Sequence, residues 1–549
     1  MRFRLKILCT IGSILLWIGL QSSKSILVRA QSSDTGSNRK TSTTIKGVVR
    51  DGGTGAAIPE VSVSTYVKDQ KRTTMTDAAG NFSFTDVPFG RYRLNAQRRN
   101  PHALASMLVS APLGLETVHV DLKFPASASI AGTVVDEQGE GVERVGVVAL
   151  KAQLHHGKVT YIEHASTMVD DMGRYRLEGL PAGTPILLRV GYPRNGLNAR
   201  DDRKQRPTAL VTTYYPGSQS IDGAAPIILQ PDEQREGVKL LLLRRPTYCV
   251  QASVMDSNDR KSNLFVYDVS GGQKTQISGG PTDENKLKLC GFAAGHFEIV
   301  GLSTPTGNIS DAPDHFGTAD IWIAKEDIPD VQVVVGPGLK LAGRIRRADK
   351  TDTHKQPVRA QIELSPEGRL PFLNEKQNSS AQCEVPCDFV LPSVFAGKYR
   401  VSVSGLSNRG YVKQVLFDGN DVTLSELNVG QGRGDLQILV GDDGGMLGGH
   451  LVDKDGDSVS GTVFIFRADI GSEQEFMQAV KTMETDQFGI FSTAGLAPGR
   501  YIVVGTGSKF DGNPEIIRRV WRSKSKAKEL EITPNANRSE TIECASLSG

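Results

Sequence analysis

Gly80-Asn-Phe82-Ser-Phe84-Thr-Asp-Val87-Pro88-Phe-Gly90-Arg-Tyr92-Arg-Leu94 decides the fold, because the chain says it again four times. Phe82 and Phe84, then Tyr92 and Leu94, alternate with other residues, the period-two pattern of strands that bury one face. Between them Pro88-Phe-Gly90 reads as a tight turn whose closing glycine takes a positive φ without steric cost. The second copy is Gly173-Arg-Tyr175-Arg-Leu177-Glu-Gly-Leu180-Pro181-Ala-Gly183, and the third is Leu287-Lys-Leu289-Cys-Gly-Phe292-Ala-Ala-Gly295-His-Phe297-Glu-Ile299. The fourth is Phe389-Val-Leu391-Pro-Ser-Val394-Phe-Ala-Gly397-Lys-Tyr399-Arg-Val401, and the fifth runs from Gly489-Ile-Phe491 through Leu496-Ala-Pro498-Gly499-Arg-Tyr501 to Val503. The closing glycines Gly90, Gly183, Gly295, Gly397 and Gly499 stand 93, 112, 102 and 102 residues apart. A period of about 100 residues is that of whole domains, not of solenoid units of about 20–50.

Upstream of the phrase a first strand recurs: Ile45-Lys-Gly47-Val-Val49, Ile130-Ala-Gly132-Thr-Val134, Leu341-Ala-Gly343-Arg-Ile345 and Leu447-Gly-Gly449-His-Leu451. A second alternating strand follows at Val61-Ser-Val63, Val145-Gly-Val147 and Val463-Phe-Ile465. Many short strands with no sustained helical period predict an all-β chain of antiparallel β-sandwiches. Just before the phrase, Thr76-Asp77-Ala-Ala-Gly80 returns as Val169-Asp170-Asp-Met-Gly173 and Thr485-Asp486-Gln-Phe-Gly489. Asp accepts from the backbone ahead of it, and the last residue turns left-handed. The third copy puts Asn285 there, the residue after glycine that best tolerates such a φ.

The fourth copy reads Cys383-Glu-Val-Pro386-Cys387, which predicts a disulfide across the turn in place of Asp and Gly. Cys249 and Cys290, in the first strand and the phrase of the third copy, form a second expected pair. Closing a loop of that length is worth about 4 kcal/mol on the chain-entropy model. Cys544 is left over, the odd cysteine expected to stay free or to pair between molecules.

These repeats resemble carboxypeptidase regulatory-like domains, prealbumin-type sandwiches grouped with a carbohydrate-binding-like fold. The first, second and fifth copies carry the G-x-V strand, T-D-x-x-G turn, F-x-F strand and P-x-G-x-Y turn most fully; the third and fourth match its later half. The resemblance implies an exported bacterial protein of accessory β-domains, related to adhesion and polysaccharide-handling modules. The division expected is a signal peptide at 1–30, a polar linker at 31–43, and five sandwiches at 44–125, 126–243, 244–336, 337–442 and 443–549. The second of these has a loop insertion.

Arg2, Arg4 and Lys6 precede an apolar run from Ile7 to Leu20 and a small-residue exit near Ala30. That run would span only about 21 Å as helix, short of a ~30 Å hydrocarbon core, so it reads as a secretory leader. Export fits an oxidising compartment in which disulfides persist. The expected location is secreted, periplasmic or at the outer surface, with no stable membrane span in the mature chain. Without the five basic residues of the leader, the whole-chain formal charge of +3 becomes −2. A nearly neutral body lacks the clustered positive charge that nucleic-acid binding requires. An apolar content of 38% argues against disorder, and 58 glycines without a three-residue period against collagen.

Catalytic signatures do not appear. None of the nine histidines has Glu three residues later, and no His-Glu-x-x-His, Gly-x-Ser-x-Gly or phosphate-binding glycine loop occurs. The expectation is a protein that is not an enzyme, with no cofactor and no metal. His155, His156 and His164 read as a polar hairpin. Asp453-Lys-Asp455-Gly-Asp457 lacks the glycine position and the closing Glu of a calcium loop, and reads as a turn. Lys46 invites comparison with the Lys–Asn crosslinks of pilin-type sandwiches, but Ala131, Gln251, Ala342 and Gly448 stand at its equivalents.

Sugar binding needs exposed aromatic rings beside polar groups. Trp322, inside Ile321-Trp-Ile323, reads as structural, which leaves Tyr214 and Tyr215 as the candidate ligand-binding residues. The function expected is that of an exported non-enzymatic binding or scaffold protein, with a polysaccharide or a cell-surface protein as its partner. Two alternatives stand beside it: a purely structural spacer or adhesion stalk, and an accessory or degenerate part of a carboxypeptidase system.

Overall fold

The computed structural model describes residues 41–546 apart from 100–101, 156, 192–207, 257–261, 270–274, 283–284, 306–312, 349–357, 368–378 and 431–433. The expected signal peptide, nearly all of the linker, His156 and most of the insertion after Gly191 lie outside the described residues. The described chain is a multi-domain all-β protein with two α-helices, α1 (Glu473–Ala479) and α2 (Pro514–Arg522), both near the C-terminus.

Its strands pair in successive groups. In the first, a three-stranded sheet has Ser42–Asp51 between Asn81–Pro88 and Thr117–Phe124. A four-stranded sheet, in the order Gln70–Met75, Ser62–Val67, Gly90–Arg99 and His102–Ala111, faces it. Ile45, Val49, Phe82 and Phe84 from one sheet and Val63, Leu94 and Val109 from the other fill the space between. The groups around Ser127–Val135 and Gly445–Val452 repeat this pair of sheets around their own cores, and in the group around Leu339–Arg347 the sheet that holds the first strand grows to five strands. In the group around Tyr248–Asp256, the pairing of His315–Ile323 with Ile328–Pro337 joins everything into one seven-stranded sheet.

The pairing is not wholly antiparallel. In every group the first strand lies parallel to the last, as Thr44–Asp51 does to Thr117–Phe124. After crossing to the other strands of its group, the chain ends each time beside its own first strand and runs in the same direction. Parallel neighbours require such a crossover.

Opposite each first strand stands the aromatic strand of the phrase, and the two fit by volume. Gly47 faces Phe82, Gly132 faces Tyr175, Gly343 faces Phe389 and Gly449 faces Phe491. A Cβ at Gly47 would come 2.6 Å from the Phe82 ring, so the missing side chain is what lets the ring lie across the strand. In the third group Leu287 replaces the aromatic, and Ala252 stands where the glycine was.

The turn geometry departs in part from the sequence expectation. Gly90, Gly183, Gly397 and Gly499 have positive φ, but Gly295 does not. A left-handed residue common to all five copies lies four positions earlier: Asp86, Gly179, Gly291, Ser393 and Gly495. Each sits at a register shift in the pairing with the first strand. This is a β-bulge, in which one extra residue takes a left-handed φ and bends the strand toward the turn. Tyr92 and Tyr501 then close the hairpin, donating to the carbonyls of Pro88 and Ala497 at 2.7 and 2.8 Å.

The loop aspartates act as local acceptors. Asp77 Oδ1 takes the N–H groups of Ala79 and Asn81, Asp170 those of Met172 and Arg174, and Asp453 those of Asp455 and Asp457. Asn285 has φ 58°. Cys249 is bonded to Cys290 and Cys383 to Cys387, while Cys544 carries a free thiol.

Candidate functional site

The aromatic candidates Tyr214 and Tyr215 lie in the second group, and a further exposed aromatic, Trp322, lies in the third. Tyr214 is 4% exposed and packs with Leu150, Leu187 and Ile221, on a two-residue edge strand paired with Arg189 and Val190. Tyr215 rests partly buried against the core of the same group. The two rings belong to the sandwich wall. Tyr214, buried in this way, has almost no surface to offer a ligand, whereas Tyr215 keeps part of its own.

Trp322 is 73% exposed, on the strand His315–Ile323 whose neighbouring positions Ile321 and Ile323 face the core. Alternation turns Thr318, Asp320 and Trp322 to the other side, where all three are exposed. Across the sheet His296 pairs with Trp322, and the two rings stack with centroids 4.0 Å apart and planes 4° from parallel. His296 is held in turn, its Nε2–H donating to Asp320 Oδ1 at 3.2 Å.

The carboxylate fixes the imidazole, and the imidazole covers one face of the indole. The indole keeps most of its surface open, and Asp320, 68% exposed, stands two residues away on the same side of the strand. A single exposed aromatic is ordinary, as Tyr66 at 60% shows, and what sets Trp322 apart is the ring stacked on it. An indole held flat by a polar neighbour is suited to stacking against an apolar ring face while the carboxylate accepts hydroxyls. The signal was present in the sequence, since flanking core residues on both sides require position 322 to point outward.

A second polar cluster lies inside the same group. Asp256 accepts from His315 Nδ1 at 2.8 Å and from Ser303 Oγ at 3.0 Å, and the hydroxyls of Ser303 and Ser262 lie 2.8 Å apart. The serine donates to the aspartate rather than to the histidine, so this is not the order of a nucleophilic triad. It ties three strands together. Nearby, burial and the neighbouring Glu298 raise the Tyr267 hydroxyl above its ordinary value.

His164 Nε2 lies 3.0 Å from the carbonyl oxygen of Gly179. Among the described residues no three His, Cys, Asp or Glu side chains gather in a way that could hold a metal ion. None of the described helices is long and apolar enough to cross a membrane.

Residues 44–122, nearly the whole first group of strands, match the family of carboxypeptidase regulatory-like domains. No curated protein matches the chain. Among solved structures, the TIE protein of Bacillus anthracis is similar at 12% identity over 53% of this chain and 51% of its own, with a TM-score of 0.16. The chain thus spans about half the length of that protein. A streptococcal ancillary pilin is 13% identical over 54% of this chain and 99% of its own, with a TM-score of 0.19. A minor pilin of Streptococcus agalactiae is 15% identical over 37% and 97%, with a TM-score of 0.22.

Proposed function

We propose that the protein is exported behind the leader at 1–30 and acts outside the cytoplasm as a non-enzymatic binding scaffold. Its β-sandwiches, divided at about residues 125, 243, 336 and 442, carry a glycan-binding surface on the third. The observation that carries this reading is the Trp322 platform. An indole pinned by His296 with most of its surface open loses little freedom when a sugar ring stacks on it. Asp320, already ordered by its bond to His296, is the polar group beside it.

The test is retention of residues 31–549 on soluble and insoluble polysaccharides, with Trp322→Ala and the pair Tyr214→Ala/Tyr215→Ala run in parallel. Saturable retention that Trp322→Ala abolishes is the expected result. Retention that survives Trp322→Ala, or none across the panel, overturns the glycan reading. The tyrosine pair should lower the stability of the second group and leave binding where Trp322 puts it.

A scaffold role has an observation of its own in the way the C-terminal group touches several others. It meets the first at Ser110, the second at Leu154 and the fourth at Arg409. A stalk of domains joined only to their sequence neighbours would lack the first two of these.

A further inference from the structure

The four-stranded sheets end differently at the strand beyond the one that follows the closing glycine. That outer strand has two residues in the second group (Thr213–Tyr214), three in the fourth (Leu427–Val429) and five in the fifth (Lys528–Ile532). In the first group it has ten, His102–Ala111. Sheets discourage pairing with other chains by keeping edges short or charged. Three edges here obey that rule, two by brevity and the last through Lys528, Glu529 and Glu531. The first does not. From Ala103 to Ala111 it reads Ala-Leu-Ala-Ser-Met-Leu-Val-Ser-Ala, with no charge and no proline, and Leu104 is 61% exposed. A long, uncharged, apolar strand is the type of segment that pairs with its own kind.

What covers this edge comes from the far end of the sequence. The Gln487 side-chain amide donates from Nε2 to the Ser110 carbonyl at 2.6 Å and accepts the Ser110 N–H on Oε1 at 2.9 Å. It offers one donor and one acceptor where a neighbouring strand would offer the same. Four residues back, Lys509 Nζ donates to the Ser106 carbonyl at 3.2 Å. Glu484 joins the two sides, 2.8 Å from Arg93 and 3.3 Å from Lys509.

The same group grips its other neighbour by different means. Leu154 of the second group enters the cluster of Phe464, Phe466, Phe476 and Val520 beneath α1 and α2, and its N–H donates to the Gly512 carbonyl at 2.7 Å. One contact has an apolar side chain at its centre, with the Leu154 hydrogen bond and the Lys151–Asp511 ion pair beside it. The other is made of polar groups that water can satisfy equally well, so it opens at lower cost.

We propose that the C-terminal group is a detachable guard over the strand His102–Ala111, and that the uncovered strand pairs antiparallel with the same strand of a second copy. A second copy is the occupant the edge favours. An identical uncharged strand brings no repulsion and matches the exposed leucine with another, whereas a charged peptide finds no counter-charge from residues 103 to 111.

The experiment uses the full exported chain, residues 31–549. Its mass is followed by light scattering across a concentration series, and the exchange rate of the Ser110 amide is measured alongside. The wild type and an oxidised Ser110→Cys/Gln487→Cys variant should be monomeric. Gln487→Ala with Glu484→Ala should dimerise as concentration rises, and exchange at Ser110 in dilute solution should rise on the order of tenfold. Adding Leu108→Lys to that variant should restore the monomer. Unchanged exchange overturns the guard, and faster exchange in a protein that stays monomeric overturns the pairing. An aggregate indifferent to Leu108→Lys, or a dimer in the oxidised variant, also overturns the proposal.

Discussion

In the first group of strands a phenylalanine, Phe82, lies across a position with no side chain, Gly47; in the third, Leu287 lies across Ala252. The sum is what is kept. Interiors pack to near-crystalline density, so a larger ring on one strand demands less on the other. The hairpin is closed with equally different means. Tyr92 donates to the Pro88 carbonyl in the first group, while in the third Phe297 has no hydroxyl and packs edge-on against Phe292 at 5.3 Å. The Cys249–Cys290 bond ties that group's first strand to its phrase beside the bulge. A repeated phrase therefore preserves backbone geometry and total volume rather than particular side chains.

The hardest test of this comparison removes the ring. Phe82→Ala should cost the first group about 3–5 kcal/mol, the range for a buried aromatic cut to alanine. Leu287→Ala, at a half-buried position, should cost about 2 kcal/mol or less. Both are read from the hydrogen-exchange protection of each group's own strands, because a chain of several groups has no single unfolding midpoint. Equal losses would mean that the two pairs do not play corresponding parts.

Exchanging the partners sharpens the same point at smaller scale. Gly47→Ala should cost about 1–3 kcal/mol, since its Cβ would lie 2.5 Å from Val120 Cγ2 and 2.6 Å from both the Phe82 ring and the Val120 carbonyl oxygen. Ala252→Gly removes a Cβ that the third group accommodates and should cost about 0.5–1 kcal/mol. Combining Gly47→Ala with Phe82→Leu rebuilds the third group's pair in the first, and its cost should fall short of the sum. Strict additivity would show that ring and glycine do not sense each other. The carbonyl of Val120 sets a limit on the recovery, because backbone yields less than a side chain.

What could be read in advance was whatever repeats locally. Alternation placed the strands, and the repeated turn showed where each hairpin reverses. The bulge stayed hidden because Asp86 and Ser393 stand at two of its five positions, and neither announces a left-handed φ as glycine does. The parallel pairing of first and last strands could not be seen, because those partners are separated by most of a group. The burial of Tyr214 could not be read, because a two-residue strand leaves almost no alternation. Trp322 was misjudged although alternation was clear, since a strand pattern assigns opposite sides and does not say which is wet until the flanking residues are placed in the core. The grip of Gln487 on Ser110 crosses 377 residues and has no local signature at all. The helices left capping marks, Ser472 three residues before Glu475 and Asn513 before Pro514, too short to outweigh the strands around them.

The smallest predicted difference lies at the turn before the phrase, and its sign can be worked out. In the first group Asp77 is held below its ordinary 3.8, chiefly by the backbone N–H of Asn81 and then by that residue's side chain. A carboxyl whose folded value is depressed favours the folded state fully above its unfolded value. That contribution disappears as the pH falls through the folded value. Protection of the first group's strands should therefore decline as the pH falls below about 4, with the Asp77 share of that decline absent in Asp77→Asn. At neutral pH the variant should be slightly weaker, because a neutral amide oxygen accepts those N–H groups less strongly than a carboxylate. The third group closes its turn with Asn285 at the left-handed position and with Thr282 Oγ1 donating to the Ser262 carbonyl at 2.7 Å, groups that do not titrate. Asp77→Asn should leave the third group's acid profile where it was. A shift in both groups would mean that acid acts through the contacts between groups, and the turn would then contribute nothing of its own to the difference between them.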